Sequence, residues 1–176
     1  MPSGTLAAID TGTTLIGGPS AVVSAVYAQI PGSQQFSDNL AGFYGFRMFP
    51  SLLVNSDLDT LRYAFSLACS TTISVTMAFG GKSWPIDAQD MNFGRVSTTS
   101  DICLGGIFDL TAGTSIGGGG GNPNWVVGGT FLKNVYSVFR SQPAAIGFAQ
   151  LSEAASRSSG ECCNLVSSFY WEACAS

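Results

Sequence analysis

The sequence predicts a mostly β fold made of short strands and tight turns, with short helices. Its 176 residues include 22 glycines, 45% are hydrophobic and only 10% are charged, a composition typical of a turn-rich β protein rather than a helical bundle or a disordered chain. Apolar and polar residues alternate over 73–79, and Gly80-Gly81 then leads into 82–86, which predicts a half-buried β-hairpin. A chain of this length fits one domain with a sizeable core.

One helix is predicted near the start of the chain. Pro19 is typical of a first helical turn, residues 20–30 carry apolar side chains at helical spacing, and Pro31-Gly32 ends the pattern. The predicted apolar face consists of Val22, Val23, Val26, Tyr27 and Ile30.

The second half of the chain is predicted to hold short strands joined by turns. A strand is predicted over 102–108, and five consecutive glycines at 117–121 predict a flexible loop. The remaining predicted elements are strands at 124–127 and 135–139, a helical turn at 129–134 and a strand at 145–149 that closes a final hairpin.

Composition excludes several classes of function. Seven Lys and Arg residues and a net charge of −4 argue against a nucleic-acid surface, and the absence of His excludes Ser-His and Cys-His catalysis within the chain. We expect no metal and no cofactor, because Cys162-Cys163 has no His or second close Cys pair beside it and the glycines at 117–121 lack the Lys-Ser/Thr of a phosphate-binding loop. No apolar run approaches the ~18 residues needed to cross a membrane, and residues 1–4 do not predict a signal peptide.

The most informative segment is 7–14, where an apolar lead-in delivers Asp10 to a turn that contains Gly12 and three threonines. Gly permits a tight backbone, and Thr hydroxyls can orient a carboxylate. Asp-Thr-Gly alone is typical of many ordinary turns. The extended string through Ile16 is far more specific, and it resembles the active-site signature of the pepsin-like aspartic proteases.

Further segments, in the same order along the chain, resemble the C-terminal lobe of this family, most closely its secreted fungal members. The resemblance covers about residues 5–151 and implies one lobe of a bilobal, mostly β acid protease fold. The matching segments are the Asp10 turn with its helix, 69–75, 79–86, 102–108, 125–128, 131–139 and 146–149.

The resemblance implies a role for each residue of the turn. Asp10 corresponds to the second catalytic aspartate, Thr11 to a residue that locks the two lobes through its hydroxyl, and Gly12 and Thr13 to residues that hydrogen-bond the carboxylate. Residues 126–128 would form a strand that supports the loop, although an ordinary core strand is the alternative interpretation. The implied substrate is a polypeptide.

The resemblance also implies a disulfide between Cys69 and Cys103. These residues are 34 positions apart, and closing such a loop would stabilise the fold by about 4 kcal/mol. A disulfide implies an oxidising compartment, so a secreted or vacuolar location is expected. Five cysteines cannot all pair within the chain, and the pairing of Cys162, Cys163 and Cys174 stays open.

Four departures from the family pattern point to a fragment or an imperfect gene model rather than a complete mature enzyme. The N-terminal lobe, with the first catalytic aspartate, is missing; residues 48–68 form an atypical insert within the lobe 1–151; Gly129 stands where the family commonly has Asp; and 152–176 is an atypical tail. We therefore expect the isolated chain to be inactive unless it meets the missing lobe or a second copy of itself. The alternatives are a non-catalytic, truncated β module that binds peptide or has no activity and, more weakly, an unrelated secreted β-sandwich with adhesive or lectin-like function.

Overall fold

A computed structural model describes residues 5–47, 74–112, 122–153 and 155. Within these ranges the chain forms twelve β-strands and two short α-helices, so the predicted mostly β fold is confirmed. The predicted insert at 48–68, the glycine loop at 117–121 and the tail beyond residue 155 lie outside the described residues. No helix in the described part is long and apolar enough to cross a membrane.

The chain divides into two compact units, Met1–Asn134 and Val135–Ser176. The elements of the first unit, in chain order, are β1 (Ala7–Ile9), β2 (Ile16–Gly18), α1 (Ser20–Tyr27), β3 (Ser33–Gln35), β4 (Tyr44–Arg47), β5 (Val75–Phe79), β6 (Lys82–Ile86), β7 (Asn92–Arg95), β8 (Ile102–Gly105), β9 (Ile107–Asp109), β10 (Trp125–Val127) and α2 (Gly129–Leu132). The second unit contains β11 (Val135–Ser141) and β12 (Ala144–Gln150).

One four-stranded sheet of the first unit carries the Asp10 turn. Its spatial order is β1-β10-β2-β9. The strand β10 runs parallel to β1 and antiparallel to β2, and β2 runs parallel to β9. A strand from late in the sequence is therefore inserted between the two strands that flank the turn, which fixes both ends of that turn.

The other strands form a second four-stranded sheet and two hairpins. The second sheet has the order β3-β4-β8-β7. The hairpin β5–β6 turns at Gly80 and Gly81, both at positive φ, as the Gly-Gly pair predicted. Phe79 of this hairpin contacts Phe131 of α2, with ring centroids 5.2 Å apart.

The helix α1 is shorter than the predicted 20–30. It starts at Ser20, with Pro19 just outside it in an extended conformation, and it ends at Tyr27. The amides of Gln29 and Ile30 bond carbonyls only three residues back, so the last turn tightens and leaves the α-helical pattern. On the predicted apolar face, Val23, Tyr27 and Ile30 are buried, but Val22 is 44% exposed.

The predicted strand 102–108 is two strands rather than one. The strand is interrupted at Gly106. As a result, β8 belongs to the second sheet and β9 to the first. A Cβ on Gly106 would lie only 2.8 Å from the carbonyl oxygen of Asp90 and 2.9 Å from Cγ2 of Thr130, so only glycine fits at this crossing point. Elsewhere, α2 ends at Leu132, two residues before the predicted end of the helical turn.

Tyr27 ties α1 to both sheets of the first unit. Its ring stacks on Tyr44 of β4 at 4.5 Å between centroids, and its hydroxyl bonds the backbone of Ile107 in β9. The core around it is apolar, as expected for the large side chains that burial favours. The buried apolar residues of the first unit are Ile16, Val23, Tyr27, Ile30, Tyr44, Phe46, Met77, Trp84, Ile86, Met91, Cys103, Ile107, Leu110, Val127 and Phe131.

The described part of the second unit contains a long antiparallel hairpin. Its strands pair over seven residues, from Val135 opposite Gln150 to Ser141 opposite Ala144. Successive side chains of a strand point to opposite faces. Large apolar side chains are exposed on both faces, Tyr136 and Val138 on one and Phe139 and Ile146 on the other.

Candidate active site

The Asp10 loop connects β1 to β2, and β10 pairs with both of these strands. The amide of Asp10 donates to the carbonyl of Val127 at 3.0 Å, which places the carboxylate where β1 ends. The amide of Thr13 donates back to the carbonyl of Asp10 at 3.4 Å and closes the turn. The loop is thus held both by its own turn and by the inserted strand.

Residues 128–130 pack against the second half of the loop and hydrogen-bond its backbone. The amide of Gly129 donates to the Thr13 carbonyl at 2.8 Å, and the amide of Thr130 donates to the Thr14 carbonyl at 2.7 Å. Gly128 permits this approach, because a Cβ at that position would lie 2.2 Å from the Thr13 carbonyl oxygen. Segment 126–128 therefore does more than fill the core, since it and α2 hold the loop.

The Asp10 carboxylate is exposed and hydrogen-bonded within its own loop. Thr13 Oγ1 donates to Asp10 Oδ2 at 2.5 Å, and the amide of Gly12 donates to Asp10 Oδ1 at 2.9 Å. These two bonds, the Thr13 bond above all, lower the pKa of Asp10 below its ordinary value, while a small burial effect opposes them. The site accordingly presents an oriented carboxylate that stays ionised to lower pH than a free Asp.

The structure places the four predicted site residues of the turn together. Asp10, Thr11 and Gly12 are exposed on the loop, and Thr13 is half-buried. The bonds from Gly12 and Thr13 are those that the family resemblance implied. The part assigned to Thr11, between two lobes, involves a surface outside this chain and stays a prediction.

The predicted disulfide has one end in the described residues. Cys103 lies fully buried in β8 and is disulfide-bonded. Cys69 lies outside the described residues. The pairing of Cys69 with Cys103 therefore stays a prediction.

Two buried polar residues of the first unit were not identified from sequence. Asp109 and Thr130 are each only 3% exposed. Asp109 Oδ1 accepts from the amide of Thr111 at 2.8 Å and from its hydroxyl at 2.6 Å, while Thr130 holds the Thr14 carbonyl. Asp109 bonds Thr111 only two positions away, whereas Thr130 stands in no recognisable local motif, because its partner Thr14 is 116 positions away in the sequence.

A carboxylate held on a turn between two strands, with a third strand inserted behind it, is the arrangement expected of an aspartic protease loop. Residues 1–151 match the eukaryotic aspartyl protease family. The chain is 37% identical over 155 residues to Major aspartyl peptidase 1 of Cryptococcus neoformans var. grubii, covering 87% of this chain and 26% of that protein. The chain belongs to the eukaryotic aspartyl proteases.

Two further relatives agree with this assignment. An aspartic protease of Phaffia rhodozyma is 37% identical over 150 residues, covering 85% of this chain and 30% of the relative. Penicillopepsin-3 of Penicillium janthinellum is 34% identical over 142 residues, covering 80% and 28% respectively. The chain thus spans between a quarter and a third of the length of these relatives.

Proposed function

We propose that this chain is the C-terminal lobe of an aspartic endopeptidase and that Asp10 is one of its two catalytic aspartates. The observation that carries the proposal is the exposed Asp10 carboxylate, held by Gly12 and Thr13 on a loop fixed by β10 and α2. Such a carboxylate can face a second one without rearranging its own loop. Preorganised groups of this kind are what catalysis by polar stabilisation requires.

The proposed reaction is hydrolysis of a peptide bond by an activated water. Two facing carboxylates cannot both ionise readily, so they share one proton and their pKa values separate, as in pepsin. The ionised carboxylate takes a proton from the water as it attacks the peptide carbonyl, and the protonated one donates to the carbonyl oxygen. Asp10 alone cannot hold both protonation states at once, so a second aspartate is required.

We propose that the partner is the N-terminal lobe of the same family. The chain covers only 26–30% of the first relatives, which leaves ample sequence for a second lobe. The hairpin β11–β12 exposes apolar side chains on both faces, with Tyr136 63% and Phe139 53% exposed. An isolated two-stranded hairpin is marginal in water, so a covering partner is consistent with these exposed side chains. Thr11, exposed beside Asp10, is the proposed residue of the loop that contacts the other lobe.

We propose that the whole protein works outside the cytosol, in a secreted or vacuolar setting. The disulfide of Cys103 supports this location, because disulfides persist in oxidising compartments. The substrate is a polypeptide, and acidic pH suits a dyad that must hold one proton.

The decisive experiment joins this chain to an N-terminal lobe and compares Asp10→Asn with Asp101→Asn. Asp101 is a matched surface carboxylate, 61% exposed in a long contact with Arg47. We expect pepstatin-sensitive cleavage of a denatured protein at acidic pH, unchanged in Asp101→Asn and abolished in Asp10→Asn. Cleavage that survives Asp10→Asn would contradict the proposal, and a two-lobe protein with no cleavage at all would favour the non-catalytic β module.

A further inference from the structure

Thr130 connects the back of the Asp10 loop to the interior of the first unit. It lies in α2, and its hydroxyl donates to the Thr14 carbonyl at 3.2 Å. Its own amide donates to the same oxygen at 2.7 Å. A carbonyl oxygen has two lone pairs and can accept both bonds, so the Thr14 carbonyl is held by two donors from one buried residue.

The carbonyl that Thr130 holds belongs to the residue next to the one that bonds Asp10. Thr13 donates its hydroxyl to the Asp10 carboxylate, and its carbonyl accepts the amide of Gly129. A shift of the Thr14 peptide would therefore move the Thr13 side chain. Any residue except proline at position 130 would supply the amide donor, but the second donor to Thr14 requires a hydroxyl.

We propose that the Thr130 hydroxyl is a positioning group for the proposed catalytic carboxylate: by holding the Thr14 carbonyl it keeps the Thr13 hydroxyl directed at Asp10. The effect on catalysis rests on the proposed function. The effect on Asp10 itself does not, because the hydrogen bonds concerned all lie within this chain. The hydroxyl acts through Thr14 and Thr13 and does not touch substrate.

The two branches of the Thr130 side chain have different neighbours, which allows their roles to be separated. The hydroxyl bonds Thr14, whereas the methyl Cγ2 packs against Gly106, where an added Cβ would come within 2.9 Å of it. Thr130→Val replaces the hydroxyl with a methyl group, and Thr130→Ser removes only the methyl. Thr130→Ala removes both.

The test is an NMR titration of the Asp10 carboxyl group in the 176-residue chain and these variants. We expect Thr130→Val to raise the pKa of Asp10 toward its ordinary value, because the Thr13 bond that lowers it is weakened. In Thr130→Ser, which keeps the hydroxyl, the pKa of Asp10 should equal that of the wild type. Thr76→Val, the same exchange at an exposed position of β5, is the control and should leave the pKa of Asp10 unchanged.

An unchanged Asp10 titration in a folded Thr130→Val variant would overturn the proposal. If Thr130→Val does not fold, the Thr130→Ser and Thr130→Ala variants provide the test. A pKa of Asp10 that rises in Thr130→Ala but not in Thr130→Ser supports the positioning role of the hydroxyl. Identical Asp10 titrations in these two variants refute that role. In a two-lobe enzyme, Thr130→Val should lower kcat by roughly 2- to 10-fold, the loss expected for one neutral hydrogen bond, with KM little changed. A shifted titration in a two-lobe protein that never cleaves peptide would uphold the positioning role and refute the proposed function.

Discussion

The hydrogen bonds on Asp10 depend on how closely Gly128 approaches the loop. A Cβ at this position would lie 2.2 Å from the Thr13 carbonyl oxygen and 2.5 Å from that of Leu15. We expect Gly128→Ala to displace the loop and to lower the free energy of unfolding by about 1–3 kcal/mol, the usual cost of overpacking. Urea denaturation measures this loss.

The adjacent glycine is the matched control. A Cβ at Gly129 would have its nearest neighbour at 3.2 Å, so Gly129→Ala needs only a slight adjustment. Its effect on stability should be clearly smaller than that of Gly128→Ala. Equal losses in the two variants would show that the close approach at Gly128 is not what holds the loop.

The family resemblance implies an Asp where this chain has Gly129. Restoring that residue by Gly129→Asp would add a negative charge behind the loop, and a nearby like charge disfavours ionisation of Asp10. The pKa of Asp10 should therefore rise, and the acidic limb of the pH–rate profile of an assembled enzyme should move upward. Gly129→Asn introduces a neutral side chain of the same shape as Asp, so it should change neither the pKa of Asp10 nor the acidic limb of the profile. If Asp and Asn variants titrate alike, position 129 is too distant or too well solvated to influence Asp10.

The individual residues of the site differ in how far they could be predicted from sequence. Asp10, Gly12 and Thr13 lie within four positions, so their mutual bonds are a property of one turn and could be predicted from its residue types. Thr130 reaches Thr14 across 116 positions. Such a partner depends on strand insertion, which no local pattern encodes.

At the scale of elements, the Tyr27 hydroxyl links α1 to β9. Tyr27 donates to the Ile107 carbonyl at 2.8 Å and accepts from the Ile107 amide at 3.2 Å, and Tyr27 is only 1% exposed. Tyr27→Phe keeps the ring stacked on Tyr44 but leaves both backbone groups without that partner. We expect it to lower the free energy of unfolding by about 1–3 kcal/mol, the cost of unsatisfied buried polar groups.

Chemical denaturation of Tyr27→Phe beside Tyr136→Phe tests this expectation. Tyr136 is 63% exposed, so removal of its hydroxyl should change stability little. Similar midpoints for the Tyr27→Phe variant and the wild type would show that the Tyr27 hydroxyl contributes little to the link between α1 and β9.

Asp109 at the end of β9 should make the stability of the fold pH-dependent. Burial acts to raise its pKa, but hydrogen bonds from the side chains of Thr111 and Ser20 and from the amides of Thr111 and Ala112 outweigh burial, so its pKa is lowered. Its stabilising contribution is therefore present above the unfolded-state value of about 3.9 and is lost as the pH falls through the folded-state value. Burial and, to a smaller extent, the charge of the Asp109 carboxylate raise the pKa of Tyr44 on β4.

Asp109→Asn removes the titrating group with little change of shape. The variant should be less stable than the wild type near neutral pH, and the difference should shrink as the pH drops below the ordinary value for Asp. Urea midpoints measured across acidic pH check this, with Asp101→Asn as the exposed control. A difference that stays constant across the pH range would rule out the ionised carboxylate as its cause.

The elements could be predicted from sequence where one local pattern decides them. Hairpin β5–β6 follows from strict alternation around Gly80-Gly81, and its strand 82–86 has the predicted bounds. The interruption at Gly106 could not be predicted, because 102–108 has the pattern of one continuous strand. The close packing of Asp90 and Thr130 against Gly106 arises only in the folded chain. The early end of α1 likewise arises from three-residue hydrogen bonds that apolar spacing does not reveal.

At the scale of the whole molecule, the proposed function assigns this chain one aspartate loop of a reaction that requires two. It spans 26–30% of the first relatives, and the hairpin β11–β12 exposes four large apolar side chains. We expect the isolated 176-residue chain to be proteolytically inactive and unable to bind pepstatin tightly, because no second Asp-Thr-Gly or Asp-Ser-Gly turn is present in its sequence to face Asp10.

A second copy of the chain is the one route by which it could gain a second aspartate unaided. Two Asp10 loops would then have to face each other across a two-fold axis, where each copy presents the same surface to the other. A surface suited to a different lobe is not self-complementary, so we expect such pairing to be weak. Sedimentation and pepstatin titration of the purified chain, followed by addition of an N-terminal lobe, test this. Activity should appear only with the added lobe and vanish in Asp10→Asn, whereas pepstatin-sensitive cleavage by a dimer of the chain alone would refute the inactivity and establish a homodimeric enzyme.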